Sequence, residues 1–189
     1  MSQSAFAIDF SDRDFTNLNT VRWKVNSYKY DFEDKKGTKE AEDAFLEFLD
    51  FYSDFIDFQN KRFVLSDDPL DEYSYESQNK RLDDFYGYYG LKVKLGDCQI
   101  FYFTYNCKYI YENFAPYLTK DWQELLEFEQ YGDKILFFDY RYLNSKDELK
   151  QILKFYENFY KKYPNFSQKD MIKAKIKHFR KDLKNYPNI

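Results

Sequence analysis

Residues 39–58 read KEAEDAFLEFLDFYSDFIDF, and the organisation of the chain turns on this stretch. Ala41, Ala44, Phe45, Phe48, Leu49, Tyr52, Phe55 and Ile56 recur at steps of three and four, the spacing that lines one face of an α-helix. Thr38 precedes the run as a candidate N-cap, so the spacing predicts a helix from there to about Asn60. Between Glu40 and Asp57 the same stretch holds seven carboxylates and no lysine or arginine. At roughly 100° per residue, Asp43, Glu47, Asp50, Asp54 and Asp57 fall within about 80° of one another, opposite the aromatic stripe. Like charges on successive turns destabilise a helix by ~0.2–0.5 kcal/mol per pair. Asp54 and Asp57 also lie toward the C-terminal end, where the helix dipole opposes negative charge. Such a ridge calls for compensation from elsewhere in the chain, from a metal ion or from another molecule.

Upstream, TVRWKV (20–25) alternates Val21, Trp23 and Val25 with basic residues and predicts a half-buried strand, and SYKYDFEDKKG predicts a weaker strand ending in a turn. Downstream, RFVLS reads as a short strand, and SDDPLDEYSYESQNKRLDD, polar and without apolar period, as a surface excursion. LKVKLGDCQIFYFTYN carries two β-rich runs around Gly96-Asp97, compatible with a two-residue hairpin turn. Thr119 is placed to cap a helix through Glu129 that turns Trp122, Leu125, Leu126 and Phe128 inward, with Gly132 as a stop. KILFFDYRYL, nearly continuous in apolar residues at first, suits a central strand. Ser145 and Glu148 form a capping box opening a helix to about Lys162. After Pro164, Ser167 is placed to cap a last helix with Met171, Ile172, Ile176, Phe179 and Leu183 inward. The predicted fold is α+β: a mostly antiparallel mixed sheet covered by about four amphipathic helices in a single domain, 1–189.

The 189 residues include 21 Phe, 20 Tyr and 2 Trp but only 5 Gly and 4 Pro, a composition that builds a core and argues against disorder. The opening MSQSAFAIDFSDRDF lacks a basic segment followed by an apolar run, and no stretch has ~18 consecutive apolar residues, so the reading places the protein in the cytoplasm, away from membranes. Cys98 and Cys107 are read as reduced, buried thiols.

Catalytic signals are sparse. His178 is the single histidine, which removes two-histidine metal motifs and disfavours a histidine-activated nucleophile. Neither G-x-x-x-x-G-K-[ST] nor G-x-G-x-x-G occurs. Carboxylate chemistry with Mg²⁺ is the remaining catalytic route, through Asp67, Asp68, Asp71 and Glu72 or through Asp139 with Glu148 and Lys150. It would make the protein a phosphodiesterase-like enzyme.

Charge is divided along the chain. Residues 1–90 hold 20 acids and 11 bases; residues 91–189 hold 13 acids and 18 bases. The final helix, with Lys169, Lys173, Lys175, Lys177, Arg180, Lys181 and Lys184, is one candidate to neutralise the ridge internally. The other is a basic surface on a different protein, since a one-signed field speeds association and selects partners of opposite charge. The second choice predicts a non-enzymatic inhibitor without cofactor. Its expected partner is a basic effector such as a nuclease-like toxin domain, covered at its active or nucleic-acid-binding face in the manner of a bacterial immunity protein or of a phage-encoded inhibitor of host defence. The expected contacts are Asp43, Glu47, Asp50, Asp54 and Asp57, then the second acidic patch Asp67, Asp68, Asp71 and Glu72, with Phe51 and Phe58 as anchors if exposed. Direct nucleic-acid binding is not expected.

Overall fold

The computed structural model describes residues 8–10, 13–65, 75–95, 101–131, 137–138, 141–142 and 145–186. Among them are seven α-helices and two separate two-stranded antiparallel pairings. The predicted sheet-centred α+β fold is therefore overturned: the described chain is mostly helical, and its sheets are two-stranded ribbons, too small for a layer of helices to cover. It divides into two compact units, Met1–Tyr131 and Gly132–Ile189.

In the first unit, α1 (Thr20–Phe32) replaces both strands predicted upstream of the acidic stretch. Val21, Val25, Tyr28 and Phe32, spaced four, three and four, are buried to 7% exposure or less, whereas Trp23 is 56% exposed. A strand would have put Trp23 beside Val21 and Val25; the helix keeps both valines inward and turns the indole out. The chain reverses at Gly37 in a left-handed conformation (φ +72°), its N–H bonding the Tyr117 carbonyl at 2.8 Å. Thr38 caps α2 (Lys39–Leu65) as predicted, its hydroxyl accepting from the Ala41 N–H at 3.2 Å. This helix runs past Asn60 through RFVL, which is thus not a strand, because nothing in Lys61–Leu65 interrupts it. The predicted excursion is also corrected in its second half: Tyr75–Gly87 is α3, held along its polar side by Lys80 and Asp84 at 2.5 Å.

Strands β1 (Leu91–Leu95) and β2 (Phe101–Tyr105) form the predicted hairpin with a different connection. Leu95 pairs with Phe101, whereas a two-residue Gly96-Asp97 turn would pair it with Cys98. Asn106 then caps α4 (Cys107–Phe114), accepting from the Tyr109 N–H at 3.0 Å. Cys107, expected to be buried, is half-exposed in the first turn of α4; Cys98 lies outside the described residues. A 3-10 turn over Ala115–Tyr117 leads to α5 (Lys120–Glu129), with Trp122, Leu125 and Leu126 buried as the periodicity requires.

The core of this unit is aromatic. Phe45, Phe48, Phe51, Tyr52 and Phe55 of α2 are all 0% exposed. Phe48 and Phe114 approach to 4.3 Å between ring centroids, Phe45 and Trp122 to 5.2 Å, and Phe15 closes over Phe51 at 5.4 Å. Polar atoms then set the hairpin against α2. The buried Tyr52 hydroxyl donates to the Gly90 carbonyl and accepts from the Asn106 N–H at 3.2 Å, joining the two ends of the hairpin. The Asn60 amide closes the outer edge of β2 by accepting from the Phe103 N–H (2.6 Å) and donating to its carbonyl (3.0 Å). Asp83 of α3 accepts from the Val93 N–H on the β1 edge at 3.0 Å. Both edges of an otherwise open ribbon are thereby occupied at their centres.

In the second unit, KILFFDYRYL forms two-residue strands β3 (Phe137–Phe138) and β4 (Arg141–Tyr142), paired antiparallel. This corrects the central strand: a short ribbon forms instead of a row in a larger sheet. Ser145 opens α6 (Lys146–Lys162) with both arms of the capping box, Glu148 N–H to Ser145 Oγ at 3.2 Å and Ser145 N–H to Glu148 Oε2 at 2.7 Å. Helix α7 (Lys169–Asn185) starts from Gln168 instead of Ser167 and has no side-chain cap. Leu149, Ile152, Tyr156 and Phe159 of α6 and Ile172, Ile176 and Phe179 of α7 are buried, with Tyr156 stacked on Phe179 at 5.8 Å.

Candidate protein-docking surface

Because the stripe Phe45–Phe48–Tyr52–Phe55 is consumed by the core, the opposite side of α2 has to face water. Asp43, Glu47, Asp50 and Asp57 are exposed and Asp54 half-exposed, so the helix brings all five predicted carboxylates onto one outward face. Two of them have local partners: Asp43 pairs with Lys39 one turn earlier, and Asp54 with Arg13. Asp43 in turn raises the Lys39 ammonium above its ordinary range by accepting its hydrogen bond. These two pairs offset two of the five charges and leave three carboxylates of one sign along the ridge. Glu47, Asp50 and Asp57 have no ion pair among the described residues of the first unit.

The remaining acids of α2 behave differently. Glu40 meets Lys35 at 3.1 Å at the favourable N-terminal end, and Glu42 is buried to 7% exposure. Phe51, expected as an anchor if exposed, is fully buried; Phe58 is half-buried against Phe15 at 5.8 Å. The aromatics of this helix therefore hold the core, leaving the ridge polar. Asp67, Asp68, Asp71 and Glu72, the second predicted patch, lie outside the described residues, as does Asp139. Of the groups considered for Mg²⁺ chemistry, Glu148 is occupied as the capping-box acid and Lys150 bonds Asp147 at 2.7 Å. Among the described residues no group of three or more His, Cys, Asp or Glu is arranged to hold a metal ion. His178 faces solvent at 63% exposure with Asp182 3.0 Å away on the next turn.

Within the second unit the basic face of α7 is only partly matched. Arg180 meets Glu157 at 2.6 Å and Lys173 meets Asp170 at 2.9 Å. Lys177, Lys181 and Lys184 have no ion pair among the described residues of that unit.

A second surface escaped the sequence reading. Trp23, Asn26, Ser27 and Tyr30 follow the i, i+3, i+4, i+7 pattern on the outward face of α1, with Tyr30 86% exposed. The strand reading hid them by assigning Trp23 inward; the four-three-four spacing of Val21, Val25, Tyr28 and Phe32 is the signal that reveals them. Beside this face lies an open groove of about 520 Å³ between residues 8–9 and α1.

Comparisons with protein-family models, with curated proteins and with solved structures find no match for this chain. No helix among the described residues is long and apolar enough to cross a membrane.

Proposed function

We propose that this protein acts without catalysis, as an inhibitor that docks the acidic face of α2 on a basic effector protein and covers the face with which that effector holds nucleic acid. A toxin domain of the nuclease kind, neutralised by a cognate immunity protein, is the partner class that fits this chemistry. One observation carries the reading: Glu47, Asp50 and Asp57 stand exposed on a single helix and have no ion pair among the described residues of their unit. The helix buries five aromatic side chains on its other side, so the backbone that carries the carboxylates is already ordered before binding.

The test is affinity for basic nuclease-type toxin domains, starting with any encoded by neighbouring genes, measured by calorimetry at two salt concentrations. Asp50→Lys with Asp54→Lys is expected to weaken the complex by on the order of tenfold or more, and the wild-type affinity to fall with added salt. An affinity indifferent to both changes removes the ridge from the interface.

A further inference from the structure

The division into two units separates charge more sharply than the two halves of the sequence do. Residues 1–131 hold 26 acids and 15 bases, whereas residues 132–189 hold 7 acids and 14 bases, so a net-acidic chain contains a strongly basic unit. Packing within that unit fixes where the cations of α7 go. Ile172, Ile176 and Phe179 are buried, Phe179 stacks on Tyr156 at 5.8 Å, and Arg180 bonds Glu157 of α6 through two nitrogens at 3.0 and 2.6 Å. With this side of α7 committed to α6, the remaining side has to face water. At roughly 100° per residue, Lys173, Lys177, Lys181 and Lys184 fall within about 80° of one another there, and all four are exposed. They extend over ~16 Å of helix axis.

The described acids of this unit do not cancel the row. Asp147 bonds Lys150 and Glu148 closes the capping box, both at the start of α6. Glu157 is taken by Arg180, Asp170 pairs with Lys173, and Asp182 lies 3.0 Å from His178. Lys177, Lys181 and Lys184 have no ion pair among the described residues of the unit. Lysines one turn apart repel, so the row weakens the helix that carries it and calls for an anionic partner.

The surroundings of the row select among anions. Entering a lipid surface takes the apolar side of a helix, and that of α7 is spent on α6. Single strands are held by stacking on exposed aromatic rings, and among the described residues the exposed large apolar side chains all belong to the first unit. A duplex asks only for cations. DNA carries one negative charge per ~1.7 Å of axis, and its major groove, about 12 Å wide, admits a helix, whereas the deep, narrow major groove of duplex RNA does not.

We propose that the lysine face of α7 binds the phosphate backbone of duplex DNA without regard to base sequence, through Lys177, Lys181 and Lys184. Lysine meets phosphate as a point charge, and Arg180, the side chain suited to bidentate base reading, is held by Glu157. Charge summed over the whole chain hides this property, and repulsion from the acidic unit is screened over about 8 Å at physiological salt. The face belongs to α7 and stands or falls independently of the α2 ridge.

The probe is a fluorescein-labelled DNA duplex of about 20 base pairs, titrated with the full chain by anisotropy at about 50 and about 200 mM salt. The single strand and the RNA duplex of the same sequence form parallel arms. Saturable binding to duplex DNA is expected, with log K falling against log salt at a slope of about −3, one phosphate contact for each unpaired lysine. Lys177→Glu with Lys181→Glu, at exposed positions, should weaken binding by about tenfold or more and flatten the slope by about two. Lys61→Glu with Lys120→Glu makes the same change of net charge at exposed positions of the first unit and should bind within about twofold of wild type. Absence of saturable binding, equal weakening by the two double variants, or equal or tighter binding of the single strand or the RNA duplex would overturn the assignment. Self-association of the chain alone, abolished by Lys177→Glu with Lys181→Glu, would give the face to the α2 ridge of a second copy and overturn it as well.

Discussion

The two sides of α2 differ in how completely their interactions are satisfied. The inner side is over-determined: five aromatic rings are fully buried, the Tyr52 hydroxyl has both a donor and an acceptor partner, and Asn60 bonds both backbone groups of Phe103. On the outer side, of five carboxylates only Asp43 and Asp54 have ion-pair partners among the described residues of the unit. The contrast shows how one helix can be a structural axis on one side and carry a row of like charges on the other. Stability comes from the face that touches the core, so the other face is free to hold a charge pattern that is locally unfavourable.

The most severe way to break this asymmetry is Phe48→Ala. The ring is 0% exposed and packs on Phe114 at 4.3 Å, so its loss should cost about 3–5 kcal/mol, read as a lower midpoint in urea unfolding. A midpoint close to wild type would show that the inner side is less tightly packed than its geometry implies.

A second test is alkaline pH. Burial pushes Tyr109 up to about 12 from 10.0 and raises Tyr28 and Tyr52 as well, with desolvation the leading cause in each. The unfolded chain therefore releases these protons first as pH rises past about 10, while the folded chain still holds them. The contribution of these tyrosines should be level below pH ~10 and be lost above it, by on the order of 2 kcal/mol from Tyr109 by pH ~12, with losses at least as large from Tyr28 and from Tyr52, and their tyrosinate absorbance should appear together with unfolding. Solvent-exposed tyrosines ionise before unfolding; ionisation of all 20 tyrosines in the still-folded chain would contradict the burial of these three hydroxyls.

Tyr52→Phe sharpens the comparison at a single atom. It leaves the ring in place but strips the Gly90 carbonyl and the Asn106 N–H of their shared partner. A loss of ~1–3 kcal/mol is expected, with faster amide exchange at Asn106 as the local signature.

The outer side should respond with the opposite sign and least strongly. Asp50→Asn removes a negative charge three residues from Glu47 and four from Asp54, and should raise stability by about 0.2–0.5 kcal/mol per relieved pair. The gain should shrink in high salt. A stability loss on this substitution would mean that Asp50 has a counter-ion within the molecule.

Legibility differed from element to element for identifiable reasons. Helix α6 could be read almost to the residue because its instructions are local: a capping box at Ser145 and Glu148, a four-step pattern from Leu149 to Phe159, and Lys161 and Lys162 at the end of the dipole. Helix α1 could not, since Val21 and Val25 satisfy a two-residue and a 3.6-residue period equally well. The tie is broken by Tyr28, whose hydroxyl reaches the Ala41 carbonyl at 2.9 Å and whose ring lies 4.7 Å from that of Phe114, both far away in sequence. The hairpin was legible as an element but not in its register, because that register depends on Tyr52, Asn60 and Asp83 reaching its backbone from two helices.

The candidate surface divides along the same line. The sequence alone placed Asp43, Glu47, Asp50, Asp54 and Asp57 on one side of a helix, because rotation per residue is a local property of the backbone. It also determined that aromatic residues would fill the other side. Only the tertiary structure decided that Phe51 belongs to the core and that Trp23 and Tyr30 face outward. Burial and pairing are properties of what packs against a residue, and packing joins segments whose meeting no local spacing encodes.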